Sequence, residues 1–355
     1  MTESNLPPHK LYESVNARTV HLTEPDWYIT ASTNPISSIP QCAQMQSSLD
    51  LPAIPEMTFG GNFLLLEHRP SGWKYAFTCA DALKGVKKDE DANGKGMIKV
   101  NYADAWMKSR YVVYARRMPD DNETRSTDPN SSLPMPKTVQ TRPCDWTFTT
   151  TYKGHRLSPN DEWPNAPSYA DDGAESDAED EGPSTSQSSV PSASKEFKWQ
   201  PADPTNSSHA IPLTELIRPD PIVFYAEVPL FEDELHDNGA SSLLVRIRVM
   251  PACVFLLARF TLRVDNVLFR TYDTRMYSSY SPGPNGKTVV VRESSGWEAE
   301  YSKVKQLLPD PNDLTLLTNP TWIAQVLAEK LPGSQRRGAG TGWDGMGKKA
   351  EVLEL

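Results

Sequence analysis

The stretch that decides the fold is residues 222–275, IVFYAEVPLFEDELHDNGASSLLVRIRVMPACVFLLARFTLRVDNVLFRTYDTR. Within it, residues 244–249 alternate between apolar and basic side chains, and a period of two is typical of a strand with one buried face. A longer β-rich run, 254–264, leads into Asp265-Asn266 and out again through 267–272. Two residues that tolerate positive φ between two such runs predict a β-hairpin.

The loop length of this hairpin fixes which side chains share a face of the sheet. A two-residue loop at Asp265 and Asn266 pairs Val264 with Val267 and gives one mostly apolar face. The opposite face then carries Arg259, Arg263 and Arg270. A second two-residue turn, at residues 251–252, adds Arg246 and Arg248 to that face. This second step is weaker, because proline prefers turns that splay a hairpin and a slip of one residue would reverse the faces.

A sheet face with three to five arginines, in a chain of net charge −10, needs carboxylates nearby. Two hypotheses remain open from the residues alone. Either the arginines bind an acidic partner, or they pair with this chain's own carboxylates and with water.

Composition sets the broad class of the protein. The 355 residues suffice for one large domain or two ordinary ones, and 31 prolines with a mean hydropathy of −0.54 indicate that part of the chain is not packed. No run of about 18 apolar residues occurs, so no transmembrane helix is expected, and the first residues show no secretory pattern. The four cysteines form no CxxC pair, which suits a reduced intracellular protein. We therefore expect the cytoplasm, with the nucleus as a second location.

The acidic charge is concentrated between residues 160 and 200. Ten carboxylates against two lysines give this segment a net charge of −8, and its centre has no apolar period with which to form a core. We predict a disordered acidic insertion over 158–205, a loop over 118–141, a flexible N-terminus over 1–20 and a disordered tail over 333–355. The remaining chain, within 21–332, is predicted to form a single domain.

Shorter patterns complete the predicted fold. Residues 27–32 predict a strand, and 63–68 and 73–79 flank a four-residue turn that predicts a hairpin. Asp81 then stands where an N-cap would start a short helix over 82–86. Because neighbouring strands are joined by turns and not by long helices, we predict an α+β domain built on antiparallel β-sheet with a few short helices.

Catalytic signals are few. The six histidines are isolated, and no GxSxG motif or phosphate loop occurs. The only cluster with metal-ligand chemistry is the acidic block, residues 232–237, whose carboxylates and imidazole suit a hard cation. Its spacing fits no EF-hand, so a solvated acidic turn or a surface that recognises a partner is the favoured interpretation. We predict no enzyme, no cofactor and no metal.

Seven blocks of this sequence resemble the TIPRL family, the Tap-interacting regulators of type 2A protein phosphatases. They are DWYITAS (26–32), LPAIPEMTFGGN (51–62), CADALKGV (79–86), MIKVNYADAW (97–106), CDWTFTTTYKG (144–154), LFEDELHDNGASSLLVRIRVMP (230–251) and FLLARFTLRVDNVLFRTYDTR (255–275). The long segments 118–141 and 160–200 interrupt the blocks in the manner of fungal members.

The resemblance implies a non-enzymatic protein that binds the catalytic subunits of type 2A, 4 and 6 phosphatases, lowers or redirects their activity, and acts in TOR signalling through a shared Tap/alpha-type adaptor. It also implies an antiparallel sheet domain around a cleft that receives the acidic, carboxylate-ending tail of the catalytic subunit. Arginines suit such a tail because guanidinium groups bind carboxylates bidentately. Nothing in the sequence requires more than a monomer.

The candidate partner-binding residues fall into three groups. The arginines expected to bind the tail are Arg248, Arg259, Arg263, Arg270 and Arg275. Further contacts that the resemblance implies are Asp81 and Ile211. The acidic block, with Glu232, Asp233 and Glu234, is expected to meet basic surface on the phosphatase or the adaptor.

Other functions stay open at this point. One is a scaffold or adaptor-binding protein with no direct effect on the phosphatase. Another is a metalloenzyme built on the acidic block, which would lose activity on chelation. A third is a nucleic-acid binder, against which a pI near 5.2 counts. The acidic insertion also suggests competition with the tail for the arginine face, strengthened by phosphorylation of Ser176.

Overall fold

Two antiparallel sheets make up the part of the chain that the computed structural model describes, residues 6–51, 53–86, 152–158, 197–212, 216, 221–235, 239–283, 285–319, 321–322 and 346–355. The first sheet has six strands in the order β1-β2-β3-β5-β6-β7, and the second has eight in the order β4-β9-β10-β11-β12-β13-β14-β8. This confirms the predicted α+β class on antiparallel sheet. No helix in the described ranges is long and apolar enough to cross a membrane.

The strands and helices have the following bounds. The first sheet contains β1 (His9–Glu13), β2 (Ala17–Leu22), β3 (Trp27–Ser32), β5 (Phe63–His68), β6 (Trp73–Thr78) and β7 (His155–Arg156). The second contains β4 (Met57–Thr58), β8 (Gln200–Pro201), β9 (Phe224–Asp233), β10 (Gly239–Val249), β11 (Cys253–Val264), β12 (Leu268–Ser279), β13 (Val289–Glu300) and β14 (Met346–Glu354). The helices are α1 (Ile39–Ser48), α2 (Cys79–Lys84) and α3 (Tyr301–Lys305).

The two sheets pack face to face around one large apolar core. The alternation of buried and less buried side chains along the strands produces this packing. Along β10 every second residue is buried, from Gly239 to Val249. Val245 and Ile247 of β10 enter the same buried cluster as Trp27 and Ile29 of β3. We call the side of the second sheet that meets the first sheet its inner face, and the opposite side its outer face.

The predicted strand β3 and the predicted hairpin of β5 and β6 are confirmed. Phe63 pairs with Thr78 and His68 with Trp73. Gly72 closes the turn with a φ of 73°, a conformation that glycine adopts without steric cost.

The loop between β11 and β12 is one residue longer than predicted. Val264 pairs with Leu268, not with Val267. A β-turn closes from Val267 N to Val264 O at 3.0 Å, with Asn266 at a φ of 63°. Val267 lies in the loop, and its carbonyl accepts a hydrogen bond from Tyr301 N at 3.2 Å, next to the pair of Leu268 with Glu300.

This shift changes which arginines lie together. Arg270 lies on the inner face, where it is only 2% exposed, so it does not share a face with the other arginines as predicted. Arg259 now lies opposite Asp273 and not opposite Tyr272. The turn at 251–252 does form as predicted, with Met250 N bonded to Cys253 O at 2.9 Å. The arginines on the outer face are therefore Arg246, Arg248, Arg259, Arg263 and Arg275.

Three segments predicted to be flexible or disordered contain strands. Residues 9–13 form β1, residues 200–201 form β8, and residues 346–354 form β14. The error has a physical cause at β14: Val352, Leu353 and Leu355 are buried, but the Gly-rich sequence before them hides this short apolar pattern. The predicted loop 118–141 and residues 159–196 of the predicted insertion lie outside the described residues.

Candidate partner-binding face

A polar strip crosses the outer face of the second sheet between two apolar clusters. On β12 the outward side chains run from Phe269 through Thr271, Asp273 and Arg275 to Tyr277. Phe269 belongs to one cluster, with Tyr301, Val304, Leu308 and Leu317. Tyr277 belongs to the other, with Ile211, Leu216, Met250, Cys253, Val291 and Val352. From Phe269 to Tyr277 the strip is roughly 27 Å long at the usual rise of a strand, which suits an extended peptide.

Asp273 organises the centre of this strip. Its carboxylate accepts two hydrogen bonds from Arg259, Nε to Oδ1 at 2.7 Å and Nη2 to Oδ2 at 2.8 Å. It accepts a third from Arg275 Nη2 at 2.9 Å. Burial disfavours the charged guanidinium of Arg259, but the hydrogen bonds and the charge of Asp273 outweigh it and raise the pKa of Arg259. Two cations thus share the carboxylate of Asp273, and a second buried carboxylate, Glu293 of β13, lies directly opposite Arg275.

The outer-face arginines differ in how far they are already paired. Arg263 Nε lies 3.0 Å from Asp265 Oδ1, and Arg246 donates to Glu227 Oε1 at 2.9 Å. Arg275 keeps 31% of its side chain exposed. Arg248 forms no ion pair with any side chain that the structure describes. A carboxylate ligand would therefore find Arg248 and Arg275 more accessible than Arg259 or Arg263.

Ile211 and Asp81 do not lie together. Ile211 is buried in the apolar cluster around Tyr277, so it borders the polar strip. Asp81 lies in the first turn of α2, after the first sheet, and its described contacts are with Thr78, Lys84 and His155. The structure thus places one of the two predicted contacts beside the arginines.

Asp81 is also not the N-cap that was predicted. Thr78 is the N-cap of α2, because its Oγ1 accepts a hydrogen bond from Asp81 N at 3.1 Å. Burial raises the pKa of Asp81, but hydrogen bonds from Lys84 and Thr78 and the charge of His155 outweigh it and lower that pKa overall. The carboxylate is therefore ionised and held by its own neighbours.

The acidic block is divided between the two faces of the sheet. Glu232 is exposed on the outer face, opposite Ser242 of β10. Asp233 is buried on the inner face and accepts a hydrogen bond from Leu235 N at 2.6 Å, while Glu234 is exposed. His236 and Asp237 lie outside the described residues. Adjacent residues of a strand point to opposite faces, so Glu232 and Asp233 cannot hold one cation. No group of three metal-ligating side chains occurs among the described residues.

A second polar cluster, at the open edge between the sheets, was not predicted. Arg292 of β13 donates to Glu351 of β14 from Nε at 3.0 Å and Nη2 at 2.8 Å, and to Tyr75 of the first sheet at 2.6 Å. Its guanidinium carbon lies 3.9 Å from the ring centre of Trp199. Burial raises the pKa of Tyr75 to about 12, so Tyr75 stays neutral and donates to Lys153 O at 2.8 Å. This cluster joins the two sheets across a cavity of about 220 Å³.

Sequence reasoning missed Asp273 because the predicted register placed Tyr272 opposite Arg259. The signal was present in the sequence, since Asp273 is the only carboxylate of the β-rich run 267–275. A carboxylate on a strand that pairs with an arginine-bearing strand is a candidate cross-strand ion pair. The correct loop length would have identified it.

Known proteins resemble this chain over most of its length. The family model described as "TIP41-like family" matches residues 57–305. The "TIP41-like protein" of Homo sapiens is 33% identical over 304 residues, which cover 86% of this chain and 84% of that protein. The "Type 2A phosphatase activator TIP41" of Saccharomyces cerevisiae is 31% identical over 306 residues, 84% of this chain and 69% of that protein. The "Type 2A phosphatase activator tip41" of Schizosaccharomyces pombe is 27% identical over 303 residues, 85% of this chain and 91% of that protein.

Proposed function

The chain belongs to the TIP41-like family, and on that premise we propose that it is a non-enzymatic regulator that binds the catalytic subunits of type 2A-like Ser/Thr protein phosphatases. The family membership agrees with the resemblance to TIPRL proteins that the sequence blocks carry. The names of the two fungal relatives tie those proteins to type 2A phosphatase. The related 4 and 6 types, TOR signalling and a Tap/alpha-type adaptor are further parts of this proposal.

The observation that carries the proposal is the polar strip around Asp273. An acidic peptide tail that ends in a carboxylate needs cationic donors on a recessed surface, with apolar ground at either end for its other side chains. Arg275 and Arg248 supply accessible guanidinium groups, and partly buried residues packed on the two clusters, such as Trp322 and Phe255, supply the apolar ends. Arg259 is held by Asp273, which also positions Arg275. We propose that the tail lies along this strip.

The family resemblance and the names of the fungal relatives disagree on whether phosphatase activity is lowered or raised. The resemblance implies lowered or redirected phosphatase activity and led to the prediction of an inhibitor. Both fungal relatives carry the word "activator" in their names. We propose modulation through the tail, and the sign is the outcome of the activity assay described below.

The test combines binding and turnover. Intact type 2A catalytic subunit and a form that lacks its C-terminal tail are titrated with the full chain, and dephosphorylation of a phosphopeptide is followed in parallel. The proposal predicts saturable binding of the intact subunit, binding weakened by about tenfold or more without the tail, and a changed turnover rate. Equal binding of both forms contradicts the tail site.

The second candidate function is a scaffold that binds the phosphatase without altering its activity. The observation that favours it is that Glu232 and Glu234 of the acidic block are exposed. An exposed acidic surface can bind basic residues of a partner without any effect on turnover. In the same assay, tight binding of the intact subunit with an unchanged turnover rate identifies the scaffold.

A further inference from the structure

In the part of the chain that the structure describes, β9 forms an open edge of the second sheet along most of its length. The short strand β4 pairs only with Phe231 and Glu232. Beyond it, Asn62 Nδ2 donates to Pro229 O at 2.7 Å and closes that end. Over residues 223–228, β9 has β10 on one side and, among the residues that the structure describes, no strand on the other.

Among the described residues of this edge, the backbone groups of Tyr225 and Glu227 point away from β10. Pro229 has no N–H, so its pair with Leu244 cannot be a hydrogen-bonded one, and the alternation of an antiparallel ladder then turns Glu227 and Tyr225 away from β10. The carbonyl of Tyr225 confirms this direction, because it accepts from Arg18 Nη2 at 3.0 Å. Within the described ranges, Tyr225 N–H and both backbone groups of Glu227 make no hydrogen bond.

The side chains around this edge have an excess of positive charge. Arg18, from β2 of the first sheet, reaches this edge with its guanidinium group. Arg246 and Arg248 of β10 are the cross-strand neighbours of Glu227 and Tyr225. Three guanidinium groups thus face two carboxylates, those of Glu227, which already pairs with Arg246, and of Glu13, the cross-strand neighbour of Arg18 on β1. Tyr225 is 40% exposed, so the surface also offers an aromatic ring beside the charges.

We propose that the β9 edge binds an extended acidic segment of a partner protein as an added antiparallel strand. Successive side chains of an added strand point to opposite faces of the sheet. Those that lie beside Tyr225 and Glu227 would therefore share the outer face with Arg246 and Arg248. An N–H of the segment replaces Arg18 at the carbonyl of Tyr225, and the released guanidinium pairs with a carboxylate of the segment. Backbone bonds hold the strand, and Arg248 together with the released Arg18 selects an acidic residue beside Tyr225.

This site goes beyond the proposed binding of a phosphatase tail. It needs no terminal carboxylate, and it is built on Arg18 and the backbone of Glu227, neither of which lies on the strip around Asp273. Arg248 lies between the two sites. Variants of Arg18 and modified peptide backbones therefore test the edge alone.

The probe is a fluorescent heptapeptide of alternating Glu and Val with both ends blocked, titrated against the full chain by anisotropy. In an antiparallel added strand, the Glu residues that lie opposite Tyr225 and Glu227 direct their N–H groups at β9. N-methylation of the Glu amides is therefore expected to weaken binding by about tenfold or more, whereas N-methylation of the Val amides is tolerated. Equal loss with both methylated peptides overturns the proposal.

Charge variants test the same site from the protein's side. Arg18→Glu is expected to weaken binding by about tenfold, and Lys303→Glu, a reversal on α3 next to Glu300, is expected to leave it unchanged. A peptide of alternating Lys and Val is not expected to bind. Wild-type affinity in Arg18→Glu overturns the proposal. So does a dimer of the free chain in sedimentation velocity that Arg18→Glu dissociates, because a second copy would then occupy the edge.

Discussion

Arg259 of β11 and Asp273 of β12 lie directly opposite each other and share two parallel hydrogen bonds, at 2.7 and 2.8 Å. Both side chains are almost fully buried, at 10% and 8% exposure. A bidentate pair of this kind has a fixed orientation, and Asp273 uses its remaining capacity to hold Arg275. One carboxylate therefore sets the position of two guanidinium groups on the outer face.

Replacement of this carboxylate should be costly. Asp273→Asn removes the negative charge and leaves Arg259 buried beside a neutral amide. We expect the free energy of unfolding in urea to fall by about 3–5 kcal/mol, the usual effect of removing one partner of a buried ion pair. The control is Asp265→Asn, whose ion pair with Arg263 is more exposed and is expected to change stability by about 1 kcal/mol or less. Equal effects of the two substitutions would show that the burial of Asp273 is not what matters.

The ion pair between Glu351 and Arg292 should make stability depend on pH. Burial raises the pKa of Glu351, but the charge and hydrogen bonds of Arg292, aided by Lys153, outweigh it and lower that pKa. The unfolded chain therefore binds the proton more readily. The stabilisation is fully present above the unfolded pKa, roughly 4.3, and is lost as pH falls through the folded pKa.

Glu351→Gln tests this pH dependence. The variant should lose less stability than the wild type as the pH falls from about 5 to about 3, measured by urea unfolding at each pH. Arg292→Met removes the other partner and should flatten the same part of the curve. A wild-type slope in both variants would assign the acid sensitivity to other carboxylates, Asp81 among them.

Removal of residues 346–355 should destabilise the whole sheet. β14 pairs with β13 over most of its length, and its Leu353 belongs to the main core. We expect the truncated chain to unfold at a clearly lower temperature in circular dichroism, with exposed apolar surface that binds a hydrophobic dye. Lys349→Ala, a substitution of an exposed side chain on the same strand, should melt as the wild type does. A truncation that melts unchanged would restore the original prediction of a disordered tail.

Deletion of residues 160–196 tests competition for the arginine face. The deleted segment carries ten carboxylates and one lysine. If it competes with a phosphatase tail, its loss should tighten the binding of a tail peptide at low salt, and the difference should shrink as salt screens the charges. Residues 197–201 stay in the variant because Trp199 packs on Arg292 and β8 pairs with β14. An unchanged affinity at low salt would exclude competition.

The sequence predicted what local patterns determine. The strand 27–32, the hairpin on either side of residues 69–72 and the arginine face all follow from alternation and turn chemistry. It could not predict the length of the loop between β11 and β12. That loop is one residue longer than predicted, which puts Arg270 on the inner face and Asp273 opposite Arg259. β14 was missed because its short apolar pattern becomes informative only beside β13.

The central claim is that the outer face binds a carboxylate-ending acidic tail. The most direct measurement is the affinity of the full chain for a peptide of the phosphatase C-terminal tail, as free acid and as amide, in wild type, Arg275→Glu and the control Lys303→Glu. The account predicts saturable binding that weakens by about tenfold on amidation and again in Arg275→Glu, with Lys303→Glu unchanged. Equal binding of acid and amide, with no effect of Arg275→Glu, would contradict it.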